Sequence, residues 1–69
     1  MTGLEKRSFS LAGHRTSVAL ETEFWTALTA LARGQGIALS ALVAAVDAGR
    51  NPERPLASSL RVHALLRRG

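Results

Sequence analysis

Arg15-Thr16-Ser17-Val18-Ala19-Leu20 alternates along its length: Thr16, Val18 and Leu20 fall on one side of an extended chain, Arg15, Ser17 and Ala19 on the other. Period-two patterning with β-branched residues predicts a strand over 15–20 with one apolar face. At Glu21 the period changes to 3.6. Phe24, Leu28 and Leu31 share a face flanked by Trp25 and Ala32, which predicts a helix over 22–34. Glu21 and Glu23 suit the positive end of its dipole, with Glu21 or Thr22 as its cap. Arg33 sits in its last turn and Gly34-Gln35-Gly36 ends it. Leu39, Leu42, Val43 and Val46 form the face of a second helix over 39–49. Ala41, Ala44, Ala45 and Ala48 give it high propensity and permit close approach of another helix, and Gly49 stops it.

Outside this core, residues 50–56 read as a linker, because Arg50-Asn51-Pro52-Glu53-Arg54-Pro55 is rich in helix breakers. A third helix is expected over 57–67, capped by Ser58 or Ser59. Leu60, Val62, Leu65 and Leu66 make it loosely amphipathic, and Arg67 and Arg68 stand at its C-terminal end. On the N-terminal side, residues 1–6 read as a flexible polar tail. From Arg7 a second alternation places Phe9 and Leu11 on one face before Ala12-Gly13-His14 interrupts it. That segment either forms a further strand beside 15–20 or lies as an arm along a partner.

A chain of 69 residues is one domain and buries only about 60% of its unfolded surface, so its stability is marginal. Such scaffolds usually need a staple. The chain has no Cys, which excludes disulfides and thiolate metal sites and fits a cytoplasmic protein. His14 and His63, the only imidazoles, have no carboxylate at ligand spacing, so no metal or other cofactor is expected. Association of two copies is the remaining staple, and 46% hydrophobic residues is generous for a lone domain. A single strand also cannot form a sheet alone. Two copies pairing residues 15–20 antiparallel would satisfy both needs, and a two-stranded ribbon fits the major groove of B-DNA. A net charge of +4 and a pI of about 11.5 favour polyanionic partners. No apolar leader opens the sequence and no run of 18 apolar residues is present, so no membrane span is expected. The chain lacks a credible acid/base pair, a Gly-rich phosphate loop and a metal cluster, which argues against an enzyme.

The stretch from Arg15 to Glu21, the pair Phe24-Trp25, the turn Gly36-Ile37-Ala38-Leu39-Ser40 and the following Ala41-Leu42-Val43 resemble the ribbon-helix-helix proteins of the Arc/MetJ superfamily. Lys6-Arg7-Ser8, His14 to Val18, Phe24-Trp25 and Leu56 to Val62 are similar to a bacterial branch of ribbon-helix-helix domain proteins. The resemblance covers residues 6–66. It implies a mainly α protein with a short β ribbon: an intertwined homodimer whose intermolecular antiparallel ribbon enters the major groove of double-stranded DNA. It implies base contacts from Arg15, Ser17 and Ala19. The guanidinium of Arg15 suits guanine O6 and N7, Ser17 both donates and accepts, and Ala19 touches only a thymine methyl. It implies phosphate binding at the N-terminus of helix two, around Ala38, Leu39 and Ser40. Ala38 stands where many relatives carry a hydroxyl, and Ala19 where many carry a polar residue. Lys6 and Arg7 are candidate phosphate contacts of the tail. Thr16, Val18, Leu20, Phe24, Trp25, Leu28, Leu42, Val43 and Val46 are expected in a core shared by the two copies. Such a protein acts as a transcriptional repressor or an antitoxin. The alternative is a dimeric module that binds a partner protein through its C-terminal helix and does not bind DNA.

Overall fold

The computed structural model describes residues 3–67; Met1, Thr2, Arg68 and Gly69, and with them part of the expected tail and one expected helix-end arginine, lie outside the described residues. Two strands precede three helices: β1 (Leu4–Leu11), β2 (His14–Glu21), α1 (Thr22–Gln35), α2 (Leu39–Gly49) and α3 (Leu56–Arg67). The strands form one layer and the helices pack against one of its faces.

The hairpin corrects one expectation and adds a partner strand to another. Residues 4–6, expected in a flexible tail, are the start of β1. The ribbon is also made within one chain: β1 pairs antiparallel with β2 from Leu4↔Glu21 to Leu11↔His14, so residues 15–20 do not depend on a second copy for a partner. The physical reason is the two-residue turn. Ala12 and Gly13 both take positive φ, 51° and 82°, as a type I′ turn requires, and its twist matches that of the strands it joins. The Phe9/Leu11 segment is therefore a strand beside β2 of its own chain, the first of the two alternatives, and not an arm along a partner.

Opposed residues of an antiparallel pair point to the same face. The inward face carries Glu5 with Leu20, Arg7 with Val18, Phe9 with Thr16 and Leu11 with His14. Phe9, Leu11, Val18 and Leu20 are buried there with Trp25, Leu28 and Ala32 of α1, Leu42 and Val43 of α2, and Leu56, Leu60 and Ala64 of α3. Thus Val18, Leu20, Trp25, Leu28, Leu42 and Val43, expected in a core between copies, are already buried within one chain, while Thr16, Phe24 and Val46 are half-buried. Trp25 anchors the layers. Its ring stands 5.8 Å from that of Phe9, and its indole Nε1 donates to the carbonyl of Glu5 at 2.7 Å.

Local chemistry explains where the helices begin and end. No side chain caps α1: Glu21 occupies the capping position in an extended conformation, but neither it nor Thr22 bonds to the first turn. At the other end Gly36, at φ 72°, donates to the carbonyl of Arg33, and Ile37 donates to that of Ala32. This Schellman arrangement satisfies the last carbonyls and turns the chain into α2, which meets α1 at 99°. α3 starts at Leu56, one residue before the expected boundary, because Pro55 supplies the first helical carbonyl, to Ser59. Ser58 and Ser59 are consequently inside the helix and are not its caps. The face α3 buries is Leu56, Ser59, Leu60 and Ala64; Val62 is half-buried, and Leu65 and Leu66, expected on that face, are 58% and 75% exposed.

Candidate nucleic-acid interface

The face of the hairpin turned away from the helices is built from the pairs Leu4–Glu21, Lys6–Ala19, Ser8–Ser17 and Ser10–Arg15, with Leu4 exposed at its end. Lys6, Ser8, Ser10, Arg15 and Ser17 are exposed and Ala19 is half-buried. The Oγ atoms of Ser8 and Ser17 share a hydrogen bond at 3.1 Å across the middle of the ladder, and Arg15 reaches toward the Oγ of Ser10 at 3.5 Å. Small side chains at the centre and cations at opposite corners leave a shallow surface rich in donors. Arg15, Ser17, Ala19 and Lys6 therefore stand together on one face, and β1 adds Ser8 and Ser10. The alternation of residues 6–10 held the signal for those two serines, but only the register shows that they share the face of Arg15.

The structure places Arg7 elsewhere. It opposes Val18 on the inward face, where its Nε donates to Glu5 at 2.7 Å and its guanidinium lies 5.0 Å from the Trp25 ring centre. A residue one position from Lys6 in a strand must point the other way.

Glu21, opposite Leu4 in the last pair of the ladder, is the one acid beside this surface among the described residues, and its charge is compensated. Arg61 of α3 donates to its carboxylate at 3.0 Å while lying 5.9 Å from the ring of Phe24. A hydrogen bond from its own backbone amide, then the one from Arg61, hold the Glu21 carboxyl below the ordinary range.

The start of α2 is a second polar feature. Ala38 is extended, with φ −72° and ψ 153°, and no side chain caps the helix. The amides of Ala41 and Leu42 donate to the carbonyl of Ala38, which leaves those of Leu39 and Ser40 for other partners. The first turn carries no acid, and Ala38 and Ser40 are exposed. Among the described residues no three of His, Cys, Asp or Glu stand together as a metal-binding group, and no single helix is long and apolar enough to cross a membrane.

The model of the ribbon-helix-helix domain family matches residues 4–67, so the chain belongs to that family. The family is one of non-enzymatic folds, generally DNA-binding transcription regulators, that typically bind as dimers. No curated protein and no solved structure matches the chain.

Proposed function

We propose that two copies of this chain bind double-stranded DNA in a sequence-dependent way and act as a transcriptional repressor. The observation that carries the proposal is the outward hairpin face: Lys6, Ser8, Ser10, Arg15, Ser17 and Ala19 are on one surface, opposite the buried Phe9, Leu11, Val18 and Leu20 of the ladder.

Two features support association. β2 uses one edge for β1, which leaves its other edge free to pair with β2 of a second copy. α2 is also apolar on two opposite sides, with Ser40 and Asp47 between them. Leu39, Leu42, Val43 and Val46 face its own core, while Ala41, Ala44 and Ala48 form an exposed stripe on the far side. Pairing of the β2 edges gives a four-stranded sheet. At about 4.8 Å between neighbours its outer strands lie roughly 14 Å apart, close to the groove width of about 12 Å. The two β2 strands then meet the base edges with Arg15, Ser17 and Ala19. The flanking β1 strands bring Lys6, Ser8 and Ser10 to the phosphate walls, and the free amides of Leu39 and Ser40, next to Ala38, add a phosphate contact at each end. A regulator of this kind works where the DNA is, in the cytoplasm.

A role as an antitoxin, or as a module for a protein partner alone, would need a free surface on α3. That helix gives Leu56, Leu60 and Ala64 to its own core and leaves only Leu65 and Leu66 as large exposed apolar groups. Selection of bound duplexes from a random-sequence library tests the proposal. A two-fold-related motif should emerge, with binding that weakens steeply as salt rises. Recovery of unenriched sequence at low salt would sink it.

A further inference from the structure

Ser8 and Ser17 oppose each other in the middle of the ladder, on the face turned away from the helices. Directly opposed residues of an antiparallel pair have Cβ atoms about 4.5–5.5 Å apart, so two short hydroxyl side chains can meet. Their Oγ atoms stand 3.1 Å apart, and either can be the donor. Neither hydroxyl bonds to another group among the described residues, and both residues are exposed. The carboxylate on this face, that of Glu21, lies two pairs further along and is occupied by its own amide and by Arg61.

That contact constrains the protons. A hydroxyl has one proton and two lone pairs. Two serines that share one hydrogen bond use one of their two protons, and a single proton is left to give away. If Ser8 donates to Ser17, Ser8 faces outward with lone pairs alone. If Ser17 donates to Ser8, it is Ser17 that has only lone pairs to offer.

Resting on the DNA-binding reading above, we propose that Ser17 donates to Ser8 and Ser8 to a backbone phosphate, so that Ser17 reads a base with an amino group in the major groove, adenine or cytosine. In the paired sheet Ser8 stands on the strand nearer the phosphate wall and Ser17 on the strand nearer the base edges. Phosphate oxygens only accept, and a hydrogen bond to an anionic oxygen is about twice as strong as one between neutral groups. The stronger bond takes the proton of Ser8 and thereby fixes the direction of the weaker one. In the groove the amino groups of adenine and cytosine donate, whereas the ring-edge oxygens of guanine and thymine accept. A Ser17 left with lone pairs accepts from the first two and is repelled by the oxygens of the others. Ser8 is thus a positioning residue: β1 takes part in sequence reading without touching a base.

Random-library selection with the native chain, Ser17→Ala and Ser8→Ala provides the test. Thermal melts check that both variants fold. The base pair at which Ser17→Ala relaxes selection is the one Ser17 reads. Deleting the amino group there, with unsubstituted purine for adenine or a pyrimidinone for cytosine, should weaken the native chain about fivefold, the worth of one net hydrogen bond, and leave Ser17→Ala unaffected. Ser8→Ala frees the proton of Ser17 and should accept that base pair in either orientation. An enriched motif that Ser17→Ala or Ser8→Ala leaves unchanged overturns the proposal, and so does a native chain indifferent to the amino group. A native chain that enriches no motif fails earlier, at DNA recognition itself, and takes the serine assignment down with it.

Discussion

The indole of Trp25 donates to the carbonyl of Glu5 across 2.7 Å and thereby ties the first helix to the first strand. Trp25→Phe keeps an aromatic ring beside Phe9 but leaves that carbonyl unpaired, and a loss of about 1–3 kcal/mol is expected. Trp25→Ala also opens a cavity and should lose about 3–5 kcal/mol. Urea denaturation of both variants measures the difference. Equal losses would mean that the hydrogen bond contributes nothing.

The turn stores a removable strain. Ala12 holds φ 51°, where a side chain with a Cβ is disfavoured by about 1–2 kcal/mol. Ala12→Asn, which tolerates this region, should raise the thermal midpoint. An unchanged or lower midpoint would argue against the primed turn.

Gly34 and Gly36, two residues apart, should respond with opposite sign. Neither would crowd a Cβ, since nothing lies within 4 Å of either position. Gly34 is helical, so Gly34→Ala should stabilise by about 0.4–1 kcal/mol. Gly36 sits at φ 72°, so Gly36→Ala should destabilise by about 1 kcal/mol or more. Denaturation midpoints of the two variants decide it.

Acid should weaken the fold partly through Glu21. Its folded pKa lies below the ordinary value of about 4.3, so its contribution is fully present above that value and disappears as pH falls through the depressed pKa. The stability difference between the native chain and Glu21→Gln should therefore shrink as pH is lowered below about 4, in thermal melts taken at successive pH values. A difference that grew on acidification would contradict the pairing with Arg61.

On a selected operator, three basic residues of the hairpin should behave differently. Arg15→Ala should lose about 1–3 kcal/mol of specific affinity and relax selection at one base position. Lys6→Ala should weaken all sequences alike and lower the salt slope by about 1. Arg7→Ala should leave DNA affinity unchanged, because Arg7 faces the helices. Fluorescence anisotropy across a salt series separates the three, and a large effect at Arg7 would place the interface on the wrong side of the ribbon.

The patterns that could be read without coordinates were the periodic ones. The alternation over 15–20, the 3.6-residue faces led by Leu28 and Leu42, and the glycine stop at Gly36 each carry a local physical cause. What escaped depended on register. Ala12-Gly13 lacks the Asn or Asp that usually announces a primed turn, so the hairpin stayed one of two alternatives and the strand character of residues 4–6 was hidden. Without the hairpin the facing of β1 was open, and Arg7 was grouped with Lys6. In α3, Ser58 and Ser59 resemble caps because hydroxyls favour helix starts, yet Pro55 already begins the turn and Ser59 is drawn inward beside Leu60.

Because β1 and β2 are joined by only two residues, each chain closes its own ribbon without a second copy. Dilution that parts two copies need not unravel either ribbon. On the proposed reading, affinity for one half-operator would then belong to the single chain, with the second copy as a multiplier set by local concentration.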